Sequence, residues 1–255
     1  MLGAIVGDVL GSIHEFNPIK IKKFELLNKK CVFTDDTVMT VAVADSIMND
    51  VPYVESLQGW RRTFPFAGYG RSFNNWINSE YPYPYYSFRN ASAMRSSSIG
   101  WLVDDEESVL KEAIKSAEIT HNHPEGIKGA QAGALGVLYG TMGYDKYTIG
   151  ALLEVRFKYK LRQDIGEIRS SYSHDISCQG SVPQAIIAFL ESTDFEDAIR
   201  NSISLGGDAD TQACITGSLA EAYYKSIPAE IASFVRWRIE DDLLAVLDQF
   251  NSITK

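Results

Sequence analysis

Leu205-Gly206-Gly207-Asp208-Ala209-Asp210-Thr211 leads straight into Gln212-Ala213-Cys214-Ile215-Thr216-Gly217-Ser218-Leu219-Ala220-Glu221. The two glycines allow a tight turn and leave space beside the side chains that follow. The small residues after Thr211 read as a helix. The aspartates, spaced i, i+2, therefore stand where a turn enters a helix. An Asp in a first turn satisfies free N–H groups and complements the helix dipole, so capping accounts for one of them. Asp and Thr are also hard oxygen donors of the kind Mg²⁺, Mn²⁺ or Ca²⁺ prefer.

A second entrance of the same kind lies far upstream. Phe33-Thr34-Asp35-Asp36-Thr37 precedes an apolar helical run over 38–48. Thr34 fits an N-cap, with Asp35 and Asp36 in the first turn. Capping does not require two adjacent aspartates between two threonines. If the two helix starts converge, Asp35, Asp36, Asp208 and Asp210 crowd one small volume. Like charges at that range are costly unless a cation sits between them. Two divalent ions would neutralise them and leave coordination positions open for ligand oxygens.

The remaining pattern is helical throughout. Gly3, Gly7 and Gly11 recur at i, i+4, i+8 in an apolar stretch, on one helix face. A helical glycine costs about 1 kcal/mol against alanine, so three in register imply close approach of a backbone or a ligand. Glu15 continues that stripe if the helix runs on. Gly126, Gly129, Gly133, Gly136 and Gly140 form another one-faced row and predict a buried central helix. Helices are also expected over 54–64, 72–79, 106–118, 146–158, 163–171 and 194–204. Another is expected over 184–191 with Pro183 at its first turn. Ile231, Val235, Ile239, Leu243 and Leu247 recur every four residues and predict one long C-terminal amphipathic helix. No strand pair, repeat or linker is found. The sequence predicts a single all-α domain over residues 1–255, whose Asp-rich helix N-termini either cap their helices or hold a binuclear metal site.

Three loop regions can carry chemistry. Tyr81-Pro82-Tyr83-Pro84-Tyr85-Tyr86 cannot be regular helix; its rings either stack on a ligand or pack down. Residues 90–98 are small and hydroxyl-rich and can turn backbone N–H groups toward an anion. His121 and His123 flank Asn122 at a helix boundary, where they bind a metal or phosphate or cap a helix before Pro124.

Composition narrows the class. The 255 residues include 45% apolar side chains and carry a net charge of −9. Lys and Arg are scattered, which argues against nucleic acid as a partner. Cys31, Cys178 and Cys214 are far apart and form no framework, so reduced thiols in a cytoplasmic protein are expected. No apolar run approaches the roughly 20 residues of a membrane span, and no basic segment precedes the first apolar stretch as in a signal peptide. A monomer is expected.

Gly3-Ala4-Ile5-Val6-Gly7-Asp8, Thr34-Asp35-Asp36-Thr37, residues 90–95, Thr120-His121 and Gly206-Gly207-Asp208-Ala209-Asp210-Thr211, in this order, resemble the ADP-ribosylglycohydrolases. That family includes dinitrogenase reductase-activating glycohydrolases and mammalian ADP-ribosyl-acceptor hydrolases. The resemblance implies two Mg²⁺ ions, or Mn²⁺, with Thr34, Asp35 and Asp36 holding one. Asp208, Asp210 and Thr211 would serve the pair, Asp210 as the bridge. Glu15 would contact metal or substrate, and Glu15, Asp36 and Asp210 would carry catalysis. Asn90, Ser92, Ala93, Met94 and Arg95 would hold a diphosphate through backbone N–H groups, with His121 near the ribose–phosphate. An aromatic from 81–88 would stack on adenine. The implied reaction hydrolyses the bond between ADP-ribose and an acceptor side chain, on a modified protein or a small molecule. Ala91, where many relatives have glycine, and Ser98, near which many have proline, depart from the pattern without touching a metal ligand. Two other readings share the scaffold: a non-catalytic ADP-ribose binder or structural protein, and a metal-dependent hydrolase of another ribosyl or phosphate compound.

Overall fold

The glycine rows decide the packing. In the computed structural model, which describes residues 1–254, helix α1 (Leu2–Gly11) lies against α13 (Ala209–Tyr224) along Gly3, Gly7 and Gly11. A Cβ at Gly7 would collide with the Ala213 carbonyl, and one at Gly11 would lie 2.6 Å from the Asp210 Cα. Gly217 on α13 returns the approach, since its Cβ would strike the Gly3 carbonyl. Backbone-to-backbone contact at this range excludes any side chain, which is why the row is glycine. Glu221 closes the end of the pair by accepting from the Gly3 N–H at 2.8 Å.

Around this pair, α2 (Asp35–Met48) contacts both helices and α3 (Tyr53–Thr63) packs on α2. Short α4 (Arg71–Ile77), α5 (Ala91–Met94) and α6 (Ile99–Leu102) follow. Then α7 (Glu106–Glu118) leads to α8 (Pro124–Thr141), the buried central helix. Its glycines meet Cys178, Ser96, Leu219 and Ala222 in turn, so α8 is enclosed by α11, α13 and the α5–α6 segment. Next come α9 (Lys146–Phe157), α10 (Ile165–Ser171), α11 (Cys178–Leu190) and α12 (Phe195–Ile203). The chain ends with α14 (Ala229–Arg236) and α15 (Asp241–Ile253). Side-chain caps by Thr34, Asp105, His123, Asp145, Asp164, Ser177 and Asp194 start seven of these helices. Each satisfies an otherwise orphaned N–H, worth about 1 kcal/mol. The helices share one continuous apolar core. Among the described residues there is no strand, only an isolated bridge between Arg89 and Ser177. None of these helices is long and apolar enough to cross a membrane.

The all-α domain is as expected, but four local expectations change. The long C-terminal helix is two, α14 and α15, separated at 237–240. Ile231, Val235, Ile239, Leu243 and Leu247 are all buried nonetheless. A strict four-residue repeat drifts by about 40° per step on a helix of 3.6 residues per turn, so a turn keeps the row on the core. Helix α11 starts at Cys178 rather than Gln184, because Ser177 caps it through the Gly180 N–H at 3.1 Å. Pro183 is therefore inside the helix. Residues 90–98 are helical turns, not an open loop. Helix α1 stops at Gly11, so Glu15 reaches its position from a turn and not from the glycine stripe.

Candidate active site

The chain brings both Asp-rich entrances together, meeting the condition on which the metal reading depended. Gly206 turns with φ +65°, a left-handed conformation suited to glycine, and delivers Asp208 to the start of α13. Asp208 makes no capping bond to its own helix. It accepts instead from Asn90 Nδ2 at 2.7 Å. Asp210, in the first turn of α13, belongs to two carboxylate groups at once. Its oxygens lie with those of Asp8 and Asp36, all within 4.8 Å of one another, and equally with those of Glu15 and Asp208.

Asp8 is the member that sequence reasoning did not assign to the site. It sits on α1, fully buried, and holds the opening of α2 in place. It accepts from the Thr34 N–H at 2.9 Å and hydroxyl at 2.7 Å, and from the Thr37 N–H at 3.0 Å and hydroxyl. Its one sequence signal was an acid between glycines in an otherwise apolar helix. Thr34 faces Asp8, while Thr211 donates to Asp36 at 3.2 Å. His174, also unassigned, lies close enough that its charge opposes the rise at Glu15 and Asp208.

Burial and mutual repulsion raise these carboxyls. Asp36 and Asp210 are held well above the usual range, first by burial and then by neighbouring aspartates. Asp35 is pushed up to about 8 by burial and the charge on Asp8, and Glu15 to about 7 by burial and Asp208. Asp36 Oδ1 is buried without a partner. Among the described residues no lysine or arginine forms a salt bridge with any member of the cluster. Hard oxygens, an orphaned buried acceptor and the lack of a salt-bridged lysine or arginine fit divalent cations.

Beside the cluster opens a cavity of about 50 Å³ lined by Asp35, Tyr85, Arg89, Ala91, Met94, Arg95 and His121, among others. Asp35 thus faces a cavity and lies outside the two tight carboxylate groups. The 90–95 segment divides. Asn90 holds Asp208; Ala91 and Met94 line the cavity; Ser92 points inward to the Gly126 carbonyl at 2.7 Å. Ala93 is buried beside Gly129. Arg95 is turned away from solvent, toward Ser116 and Thr120. His121 lies at 5.8 Å, edge-on, from Tyr85, whereas His123 caps α8 through the Glu125 N–H. The two histidines therefore do not form a joint site.

Comparison with known proteins gives the family and the fold. The family model for ADP-ribosylglycohydrolase matches residues 1–253. The chain is 26% identical to ADP-ribosylhydrolase ARH3 of Xenopus tropicalis, over 88% of this chain and 85% of that one. It is 24% identical to the ADP-ribosylarginine hydrolase Tri1 of Pseudomonas putida, over 93% and 73%. A solved structure titled ADP-ribosylglycohydrolase-related protein complex superposes with a TM-score of 0.71 at 22% identity, over 93% of this chain and 97% of that one. That likeness shows the shared fold. With the match spanning nearly every residue, the chain belongs to the ADP-ribosylglycohydrolase family.

Proposed function

We propose that this protein is a divalent-metal-dependent hydrolase of the glycosidic bond between ADP-ribose and an acceptor side chain. The observation that carries the proposal is Asp210, shared by two carboxylate groups that no lysine or arginine among the described residues pairs with, beside a cavity bearing His121. Thr34, Asp35 and Asp36 would hold one ion, and Asp208, Asp210 and Thr211 would serve the pair, with Asp210 bridging. Two bound Mg²⁺ or Mn²⁺ ions would supply the Lewis acidity that orients ribose hydroxyls and activates water.

The chain's own residues do the rest. Within residues 90–95 the Asn90, Ala93, Met94 and Arg95 N–H groups are taken up by the fold, so the Ala91 and Ser92 N–H groups would receive the diphosphate and His121 the ribose–phosphate portion, while an aromatic of 81–88, of which Tyr85 lines the cavity, would stack on adenine. Breaking the bond at the anomeric carbon builds positive charge there, which Asp36 and Asp210 stabilise. Glu15, half-buried and with its carboxyl raised by burial and by Asp208 in the metal-free protein, would handle the proton of the leaving group. Three buried free cysteines suit a reducing, cytoplasmic setting, and a monomer contains every residue named.

The test measures free ADP-ribose released from peptides modified on arginine or on serine, with Mg²⁺ and with chelator. Mg²⁺-dependent release, lost in Asp210→Asn while the far-UV CD stays helical, is expected. Chelator-insensitive release would overturn the metal role. No release from either peptide would favour another ribosyl substrate or a binding protein.

A further inference from the structure

Arg95 is a buried cation without a carboxylate. It is 1% exposed and forms no salt bridge among the described residues. Its Nη2 donates to the Ser116 carbonyl at 2.7 Å and to the Thr120 hydroxyl at 2.9 Å, while Nε has no partner. Ser116 lies in the last turn of α7, where unpaired carbonyls carry the negative end of the helix dipole. That partial charge lets an unpaired guanidinium stay buried.

The geometry then continues to the cavity. A guanidinium only donates, so Thr120 Oγ1 accepts from it. Thr120 Oγ1 lies 2.7 Å from His121 Nδ1, and Thr120 is fully buried. Were Nδ1 to carry the proton, the Thr120 hydroxyl would receive two donors and its own proton would be left with only the Tyr85 hydroxyl, which lies farther off than His121 Nδ1, a costly exchange in a dry interior. The closest contacts are all used in one arrangement: Arg95 donates to Thr120, Thr120 donates to Nδ1, and the imidazole proton sits on Nε2. Nε2 has no protein partner among the described residues, and the ring lines the cavity with Asp35 and Arg89.

We propose that Arg95 and Thr120 are positioning residues that hold His121 as the neutral Nε2–H tautomer, offering one hydrogen-bond donor to a ligand oxygen in the cavity. Burial, Arg95 and Arg89 also hold the imidazole well below its ordinary pKa. That the ligand oxygen belongs to ADP-ribose rests on the function proposed above, whereas the tautomer does not.

The experiment is long-range ¹H–¹⁵N correlation NMR on the full chain, ligand-free and ¹⁵N-labelled at histidine, with His121 assigned by its loss in His121→Gln. The two neutral tautomers and the imidazolium give different patterns. The expected result is Nε2–H from pH 5 to 9 in the wild type. Thr120→Val should shift the ring to a tautomer mixture and weaken ADP-ribose binding about tenfold, the worth of one such hydrogen bond. Thr120→Ser should restore both. An Nδ1–H or protonated ring in the wild type would overturn the proposal without any variant. So would Thr120→Val that keeps both the pattern and the affinity. An Nε2–H ring, displaced in Thr120→Val and restored in Thr120→Ser, in a protein that does not bind ADP-ribose would sustain the relay and overturn the proposed function.

Discussion

A carboxylate with no access to water must find its donors inside the protein, and Asp8 finds four on Thr34 and Thr37. The consequence reaches past its own helix, because those donors belong to the start of α2, where Asp35 and Asp36 sit. Asp8→Ala is expected to leave Thr34 and Thr37 with unmet buried donors and to destabilise the metal-free protein by about 2–4 kcal/mol, read by urea denaturation. Calorimetry on the same variant should show Mg²⁺ affinity at least tenfold weaker; wild-type affinity would reduce Asp8 to a packing role. Asp36, Asp208 and Asp210 were legible in the sequence because threonines and glycines mark them locally. Asp8 was not, because its partners lie 26 and 29 residues away and nothing beside it announces them. Glu15 was legible as a site residue by resemblance, but its approach from a turn depended on where α1 ended. Residues 90–95 were expected to present one face to a ligand, yet Ser92 and Arg95 turn inward because the segment coils into helical turns against α8.

Among the helices, the α1–α13 contact tests what glycine spacing says. Gly7→Ala forces a methyl into the Ala213 carbonyl and is expected to cost more than about 3 kcal/mol, with the site lost along with the contact. Gly59→Ala, in the middle of α3 with nothing within 4 Å of the added Cβ, should instead stabilise by about 0.5–1 kcal/mol. Thermal unfolding of the two variants gives opposite signs if spacing rather than composition decides the packing. Both glycine rows were readable because a helix face is a fixed period. The breaks were harder. The α14–α15 turn keeps the apolar row on the core, so hydrophobicity alone does not reveal it. Pro183 reads as a helix start by local rules, but the cap at Ser177 outweighs them.

For the whole molecule, the raised carboxyls make stability depend on pH in an unusual direction. In the unfolded chain these groups titrate near pH 4, whereas in the fold Glu15 lies at about 7 and Asp35 at about 8, with Asp36 and Asp210 well above their usual range. The native state therefore binds more protons between those values, and the stability they contribute is present below about pH 4 and lost as pH rises through 7 and 8. With chelator, Tm should fall from pH 5 to pH 9. Saturating Mg²⁺ should raise Tm most at the alkaline end, through a stabilisation of about 2.7 kcal/mol per site at a hundredfold excess over Kd. A chelated protein whose Tm is flat or rising over that range would contradict the crowded acid cluster. The close seam between α1 and α13 also carries a cost in time. Gly3 and its partner Glu221 are separated by 218 residues. At about 5–20 residues per second, a ribosome needs about 10–40 seconds to make what lies between them. Throughout that interval the first helix has its glycine face bare and its destined neighbour unmade, so the nascent chain holds half of its acidic residues' scaffold long before it can close. Whatever shields that apolar segment during synthesis, a chaperone or transient collapse, acts before the enzyme exists.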